Sequence, residues 1–175
     1  MHRLFVALRP PEDVRDLLID AMEGADLNWQ HDDQLHLTLR FIGEVERPVA
    51  NDVAAALAGI AFPPFALAIS GVGRFDHGRR GALWAGISPK DVVKALAAKV
   101  ERACQSAGLA PERRAYHPHI TLARWSGGTP RLDRRTEQHG SLRSEPWPVR
   151  DFILYESHLG QSGAHYQSVA RYPLV

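Results

Sequence analysis

A four-residue pattern of histidine, aliphatic residue, threonine and leucine occurs twice in the sequence. The copies are His36-Leu37-Thr38-Leu39 and, about half a chain later, His119-Ile120-Thr121-Leu122. Successive side chains of a β-strand point to opposite faces, so each copy places its histidine and threonine on one face and its two aliphatic side chains on the other. We expect the aliphatic pairs to anchor the strands in the core. If the two halves of the chain are related by a pseudo-twofold axis, the two His-Thr pairs face each other and can hold one small substrate between them.

Two imidazoles that face one substrate favour phosphodiester hydrolysis by acid–base catalysis. Opening a phosphodiester with water requires a base that takes the proton of the water and an acid that protonates the leaving alkoxide. The ordinary pKa of histidine, about 6.5, allows one ring to be neutral and the other protonated near pH 7. The hydroxyls of Thr38 and Thr121 can donate hydrogen bonds to the non-bridging oxygens, where negative charge accumulates. This mechanism predicts a rate that falls at both extremes of pH.

Simpler interpretations of these residues compete with catalysis. A single His-x-Thr on a strand is common by chance and usually belongs to a surface histidine or a satisfied core histidine, whereas two copies with the same aliphatic neighbours favour a function. His117 and His119 share a strand face and could form a metal-ligand pair. Zinc requires three or four ligands, and no carboxylate cluster lies nearby in the sequence. We therefore expect no metal at this position.

The elements around the motifs mix strands and helices, which predicts an α+β domain. Alternating or apolar runs predict strands at Arg3 to Leu8, Leu35 to Ile42, Phe65 to Ile69, Ala82 to Ile87, His119 to Leu122, Asp151 to His158 and His165 to Tyr172. Helical spacing predicts helices from Pro11 to Met22, from Pro48 to Leu57, and to Gly108 from a Ser88-Pro89 start, in which Ser88 is the N-cap. A further short helix is predicted to begin at Thr129-Pro130, within the polar segment Ser126 to Pro148.

Two details of this assignment bear on the site. The Gly- and Arg-rich stretch from Gly71 to Gly81 is predicted to be a turn between two strands, and its arginines either clamp an RNA backbone at the rim of a cleft or form a solvated charged turn. By strand parity Phe41 is expected in the core, and Arg40 on the face of His36. A base could stack on one of the aromatic residues near the motifs, which are Phe41, Trp84, Tyr116 and Trp125.

Composition excludes several classes of protein. The 175 residues are 45% hydrophobic and 23% charged, as in ordinary globular domains, and the formal net charge of +1 provides no global field that attracts nucleic acid. The single cysteine, Cys104, rules out an intrachain disulfide framework and is expected to be a small core residue. The apolar run at the N-terminus is too short for a signal peptide and the stretch Val53 to Phe62 too short for a membrane span. We expect a cytoplasmic protein with no membrane contact, and no obligate protein partner is evident.

The doubled motif and its flanks resemble a known family. The settings HLTLRFIG (His36 to Gly43) and YHPHITLAR (Tyr116 to Arg124) resemble the two-histidine phosphoesterases, and more narrowly the bacterial and archaeal RNA 2′,3′-cyclic phosphodiesterases, historically called 2′-5′ RNA ligases. The opening strand RLFVALRPP (Arg3 to Pro11) and the stretch GRFDHGRRGALWAGI (Gly73 to Ile87) are similar to that family as well. The resemblance runs from Arg3 to about Trp125 and continues more weakly through the final strands.

The resemblance implies a fold, a substrate and a reaction. The fold is bilobal, with two pseudo-symmetric sheet-and-helix lobes and a central cleft that carries the two motifs, and residues 1–175 form a single domain. The reaction is hydrolysis of a 2′,3′-cyclic phosphate to a 2′-phosphomonoester without metal or other cofactor. The implied partners are RNA ends or nucleoside 2′,3′-cyclic phosphates.

Motif positions also imply a role for each residue. His36 is the proton donor to the leaving 3′ oxygen, His119 is the base that activates water, and Thr38 and Thr121 bind the phosphate. Arg124, which closes the second motif, adds positive charge there. Strict alternation turns Arg124 away from His119, so this role requires the strand to bend or end near Ala123, and Arg40 is a weaker candidate that has the right parity.

Two alternatives to hydrolysis remain open at this point. The chain could be a nucleotide- or RNA-binding module that performs no chemistry, which binding of a nucleotide without turnover of any cyclic phosphate would indicate. It could also join RNA ends through a 2′-5′ linkage by the reverse chemistry, which analysis of the products distinguishes from hydrolysis.

Overall fold

A single antiparallel sheet dominates the computed structural model, which describes residues 1–22, 27–128 and 141–175. Its strands are β1 (His2–Leu8), β2 (Asn28–Trp29), β3 (Leu37–Val45), β4 (Phe65–His77), β5 (Arg80–Ser88), β6 (Ile120–Trp125), β7 (Trp147–Val149), β8 (Asp151–Gly160) and β9 (Gly163–Pro173). The helices are α1 (Glu12–Asp20), α2 (Arg47–Ala58) and α3 (Lys90–Ser106), and a short 3₁₀ turn spans Asp32–Gln34. The order across the sheet is β7-β4-β5-β6-β3-β1-β8-β9, and β2 pairs with β6 beside this path. The mixture of helices and strands agrees with the predicted α+β class.

One face of the sheet packs against the helices. In β1 the even-numbered residues Leu4, Val6 and Leu8 belong to the main hydrophobic core. Each helix contributes an apolar stripe to that core, for example Val14 and Leu18 of α1, and Cys104 of α3 is fully buried there as predicted. Within the described residues, no helix combines the length and apolarity that crossing a membrane requires.

The opposite face carries the side chains of the two sequence motifs, and we call it the motif face. It is defined by His36, Thr38, His119 and Thr121, which alternate with core residues such as Leu37 and Ile120. Alternation along β1 places Phe5 and Ala7 on this face as well, because Ala7 pairs with Thr38 in β3.

The prediction of a long turn from Gly71 to Gly81 is wrong. The strands β4 and β5 form an extended hairpin that closes only at Gly78-Arg79, where Gly78 has a φ of 60°. The glycine at Gly73 serves packing instead of chain reversal, because the indole of Trp84 lies where a Cβ would stand.

Other differences lie at the ends of elements. Ser88 pairs with Ala68 in the sheet, so it is the last residue of β5 and not the N-cap of α3, which begins at Lys90. The strands β2 and β7 are only two and three residues long, too short to show alternation, and were not predicted. The short helix predicted at Thr129-Pro130 falls outside the described residues.

A β-bulge in β3 reverses the parity of the residues after it. Ala7 pairs with Thr38 and Val6 with Arg40, so Leu39 is an extra residue without a partner in β1. Beyond the bulge Arg40 turns to the helix side, and Phe41 lies opposite Phe5 on the motif face with 43% of its surface exposed. The predictions of a core position for Phe41 and of a place beside His36 for Arg40 are therefore wrong.

Arg40 ties this part of β3 to helix α3. Its Nε donates to Glu101 Oε2 at 2.5 Å, its Nη1 to the carbonyl of Phe41 at 2.6 Å, and its Nη2 to the carbonyl of Ala110 at 2.7 Å. Only 9% of Arg40 is exposed, so these three acceptors satisfy a guanidinium that water barely reaches.

Replacing Arg40 by alanine is expected to lower the free energy of unfolding by about 2–4 kcal/mol, because Glu101 and two carbonyls lose their donor in a partly buried setting. Urea denaturation measures this change. The matched control is Arg171→Ala, which breaks an exposed pair with Asp151 (2.8 Å) and is expected to cost less than about 1 kcal/mol. Equal losses in the two variants would contradict the structural role of Arg40.

Candidate active site

The two motifs meet where β3 lies beside β6. The strands share a single pair, Leu37 with Ile120, and they run antiparallel. One step from this pair in either direction brings Thr38 towards His119 and His36 towards Thr121. Farther along, β6 pairs with β2 in place of β3, through Ala123 and Arg124. The structure therefore brings the four predicted motif residues together on one face, at the only point where β3 and β6 are paired within the described residues.

His36 is held at both ring nitrogens. Its Nδ1 lies 2.7 Å from the carbonyl oxygen of Gln34. Because a carbonyl only accepts hydrogen bonds, Nδ1 carries the hydrogen and donates. The Nε2 of the neutral ring is then an acceptor and receives the hydroxyl of Thr38 at 2.9 Å. Nε2, the nitrogen that accepts, thus bonds a side chain of the motif face.

His119 repeats this arrangement with its own preceding residues. Its Nδ1 lies 2.6 Å from the carbonyl oxygen of His117, again two residues earlier, and must donate to it. Nε2 of His119 has no hydrogen-bond partner within the part of the chain that the structure describes. Both rings are therefore in the tautomer that leaves Nε2 able to accept a proton or, once protonated, to donate one.

Aromatic side chains from different strands pack against each imidazole. The ring of His36 has its centroid 4.8 Å from Phe5 and 5.3 Å from Tyr166, which meets it edge-on. The ring of His119 lies 5.0 Å from Phe75 and 6.1 Å from Trp84. These contacts restrict the orientations of both imidazole rings.

Burial among these aromatic rings makes both histidines weaker bases. Burial lowers the pKa of His36 to about 4, an effect that the hydrogen bond to Gln34 opposes and the charge of Arg124 reinforces. The pKa of His119 is also lowered, first by burial and then by the charge of Arg124. The ordinary histidine pKa of about 6.5 therefore does not describe these rings. In these surroundings both are neutral near pH 7, whereas the sequence suggested one neutral and one protonated ring.

A second β-bulge decides the position of Arg124. Trp84 of β5 pairs with Thr121, and Leu83 with Ala123, so Leu122 is an extra residue in β6. Two residues on from Trp84 along the same face of β5, Ala82 pairs with Arg124. Thr121 and Arg124 therefore share the motif face although they are three residues apart. This bulge is the bend near Ala123 that the predicted role of Arg124 requires.

Several contacts around the motifs have no simple sequence signal. The hydroxyl of Tyr116 donates to the carbonyl of Thr38 at 2.8 Å and so links the approach to β6 with β3. Arg9 donates to the carbonyls of Asp32 and Leu35, at 2.7 and 2.6 Å, and its charge contributes to the lowered pKa of His36. Alternation in the opening strand is consistent with Phe5 on the motif face, whereas the sequence around Tyr166 gives no sign of its contact with His36.

Gln34 connects His36 to the last hairpin of the sheet. Besides its backbone carbonyl, which holds His36, its side-chain Oε1 accepts from the backbone N–H of His31 at 2.9 Å. Its Nε2 donates to the carbonyl of Ala164 in β9, also at 2.9 Å. The hairpin of β8 and β9, which supplies Tyr166, is thereby fixed to the turn that carries the carbonyl partner of His36.

Other predicted residues have more ordinary surroundings. His117 is exposed, and the described residues contain no cluster of three or more histidine, cysteine, aspartate or glutamate side chains that could hold a metal ion. Trp125 is 9% exposed beneath Arg74, and Trp84 is half-buried against Gly73. Phe41 is the most exposed of the four aromatic residues considered for base stacking.

Comparison with known proteins gives one consistent result. The family model of the 2′-5′ RNA ligase superfamily matches residues 10–161. The RNA 2′,3′-cyclic phosphodiesterase of Aeropyrum pernix is 33% identical over 153 residues, which cover 85% of this chain and 87% of that protein. The protein of the same name from Geobacillus stearothermophilus is 33% identical over 158 residues, 84% of this chain, which spans only 48% of that longer protein.

Solved structures show the same fold. The protein TT0787 of Thermus thermophilus superposes with a TM-score of 0.80 at 27% identity, covering 98% of this chain and 97% of that one. The Escherichia coli protein LigT, crystallised with 3′-AMP, superposes with a TM-score of 0.79 at 24% identity, covering 99% and 98% of the two chains.

The charge of Arg124 is expected to hold down the pKa of both histidines. In Arg124→Gln, the pKa values of His36 and His119 should each rise, because a neighbouring positive charge disfavours the protonated ring. An NMR titration of the imidazole resonances measures both. Arg102→Gln, on helix α3, is the control and should move neither. Unchanged values in Arg124→Gln would mean that its side chain does not lie on the motif face.

Proposed function

Because the chain belongs to the 2′-5′ RNA ligase superfamily, we propose that it hydrolyses an RNA-terminal 2′,3′-cyclic phosphate to a 2′-phosphomonoester. The observation that carries the proposal is that two imidazoles, from motifs half a chain apart, lie on one face in the same tautomer, with Nδ1 bonded to a backbone carbonyl and Nε2 left as the acceptor. The activity named for the Aeropyrum pernix relative, an RNA 2′,3′-cyclic phosphodiesterase, supports the choice of substrate.

In the proposed reaction the two rings handle one proton each. Nε2 of His119 removes a proton from water as the water oxygen attacks phosphorus. The bond from phosphorus to the 3′ oxygen breaks, and Nε2 of the protonated His36 gives its proton to that oxygen. The products are a 2′-phosphomonoester and a free 3′ hydroxyl, and the proton gained by His119 returns through solvent to His36. Donation from Nδ1 to the carbonyls of Gln34 and His117 keeps both Nε2 atoms directed at the substrate.

A bound phosphate can restore the proton that His36 must carry to act as an acid. A ring with a pKa of about 4 carries almost no proton near pH 7. A negatively charged phosphate within hydrogen-bond reach raises the pKa of an adjacent imidazole. We therefore infer that substrate binding and protonation of His36 are coupled, so that the acid is charged only when its substrate is present.

Threonine and arginine side chains complete the proposed phosphate site. The hydroxyl of Thr38, which donates to Nε2 of His36, turns to a non-bridging oxygen when phosphate occupies the site, and Thr121 does the same from the other motif. Arg124 lies on the same face as Thr121 and offers two parallel donors to phosphate oxygens. These groups stabilise the charge that develops in the transition state.

We infer that residues 1–175 form one domain of two pseudo-symmetric lobes around a central cleft. Two observations support this. The sheet order is symmetric about the β6–β3 junction, with β5 and β1 as the inner neighbours and β4 and β8 outside them. Each motif strand has its bulge at the leucine that ends the motif, Leu39 in β3 and Leu122 in β6.

Replacing either histidine by alanine is expected to lower kcat on a nucleoside 2′,3′-cyclic phosphate by about 10²–10⁴-fold, since each removes one proton-transfer group. His158→Ala is the matched control, because this exposed histidine of β8 bonds only Gln167 at 3.0 Å. The assay is run with and without chelator, and the monophosphate isomer is identified. Near-normal activity in both motif variants contradicts the proposed function, and a 2′-5′-joined product in place of the monoester indicates ligation.

The pH dependence of kcat at saturating substrate is expected to fall on both sides of a maximum, because kcat reports the enzyme–substrate complex, in which His36 is protonated. On the acidic side His119 becomes protonated and can no longer act as base, and burial, which lowers its pKa, moves this decline to lower pH. On the alkaline side His36 loses the proton that it must donate. Initial rates measured over a series of pH values at constant ionic strength give the profile. A flat profile from pH 4 to 9 would exclude paired acid–base catalysis.

A further inference from the structure

A row of basic side chains continues the motif face outward along the hairpin of β4 and β5. Arg124 pairs with Ala82, and two residues farther along β5 is Arg80, which pairs with His77 at the end of β4. Residues two apart on a strand share a face. Arg124, Arg80 and His77 therefore lie on the motif face, and we call them the basic row.

The spacing of the basic row suits consecutive phosphates of a nucleic-acid strand. Two residues of β-strand advance by about 6–7 Å, and the neighbouring strand is about 5 Å away. Arg80 therefore begins about one nucleotide's length from Arg124. Arg80 and His77 are exposed, so their side chains can adjust to a flexible ligand.

The positive charge of this row is not neutralised by the hairpin. Asp76 is the only acidic residue between Phe65 and Ser88, and it pairs with Gly81 on the other face. There it accepts two hydrogen bonds from Arg74, both at 2.9 Å. Among the described residues Arg80 has no hydrogen-bond or ion-pair partner. One face of the hairpin is thus charge-compensated, and the face that continues the site is not.

The row starts at the end of the site where the proposed leaving group lies. His36 lies opposite Thr121 across the pair of Leu37 with Ile120. Arg124 follows Thr121 on the motif face of β6, on the side away from His119. Under the proposed function His36 protonates the 3′ oxygen, so the terminal ribose lies at this end. The phosphate on the 5′ side of that ribose is the next negative charge along an RNA strand, and it leads towards Arg80.

We propose that Arg80 and His77 bind the backbone phosphates of an RNA strand just upstream of its terminal cyclic phosphate. This inference rests on the proposed function, which it deepens by assigning the strand a path over the tip of the β4–β5 hairpin. It makes an oligoribonucleotide end a better substrate than a nucleoside cyclic phosphate. The contact is with phosphates, so it carries no base preference and depends on salt.

The test compares kcat/KM for a short oligoribonucleotide that ends in a 2′,3′-cyclic phosphate with kcat/KM for the matching nucleoside 2′,3′-cyclic phosphate. In Arg80→Ala the ratio of the two values is expected to fall about tenfold. The slope of log kcat/KM against log salt for the oligonucleotide should shrink by about 0.7, as for loss of one phosphate contact on a single strand. Arg80→Lys should restore most of both, because a point charge still attracts phosphate.

Arg79→Ala is the matched control in the same turn. Its guanidinium donates to the carbonyl of Gly127 at 3.2 Å, so it is not part of the basic row, and the ratio should stay within twofold of the wild type. An unchanged ratio and salt slope in Arg80→Ala, or an equal fall in Arg79→Ala, overturns the RNA path and leaves the proposed function intact. If the wild type hydrolyses neither substrate, the proposed function fails. In that case the inference is tested by the binding of a 3′-phosphorylated oligonucleotide. Arg80→Ala, but not Arg79→Ala, should weaken this binding and reduce its dependence on salt.

Discussion

A single backbone pair, Leu37 with Ile120, holds the two motif strands together, and the geometry of the candidate site depends on it. Both side chains are fully buried, so neither strand can slide without exposing its aliphatic residues to water. Because side chains alternate, burying these two residues turns His36, Thr38, His119 and Thr121 to the other face. The hydrophobic effect on one side of the sheet thereby sets the register of polar groups on the other.

The β-bulges in the two motif strands place different side chains on the motif face. Each motif ends in a bulge, which returns the third residue after its threonine to the motif face: Phe41 in β3 and Arg124 in β6. The charge of Arg124 lowers the pKa of both histidines, whereas the equivalent position in the other half holds the exposed ring of Phe41. The bulges of the two motif strands are therefore alike, but only the one in β6 places a positive charge on the motif face.

Sequence reasoning succeeded where the signal is local. The repeated motif led to a family membership that is confirmed, and periodicity located the three long helices and the strands beside the motifs. Sequence reasoning failed where packing between distant segments determines the position of a side chain. Gly73 is a packing residue beneath Trp84 and not a turn residue. The bulge at Leu39 depends on pairing with β1 and reverses the predicted positions of Arg40 and Phe41. The contacts of His36 with Gln34 and Tyr166 join segments that are brought together only in the folded chain.

The most direct measurement is a crystal structure with a nucleoside 2′,3′-cyclic vanadate, whose trigonal-bipyramidal metal centre imitates phosphorus under attack. Paired acid–base catalysis predicts Nε2 of His36 and Nε2 of His119 within hydrogen-bond distance of oxygens on opposite sides of that centre, with both Nδ1 atoms still bonded to the carbonyls of Gln34 and His117. Vanadate bound to one ring only, or bound away from both, would contradict it.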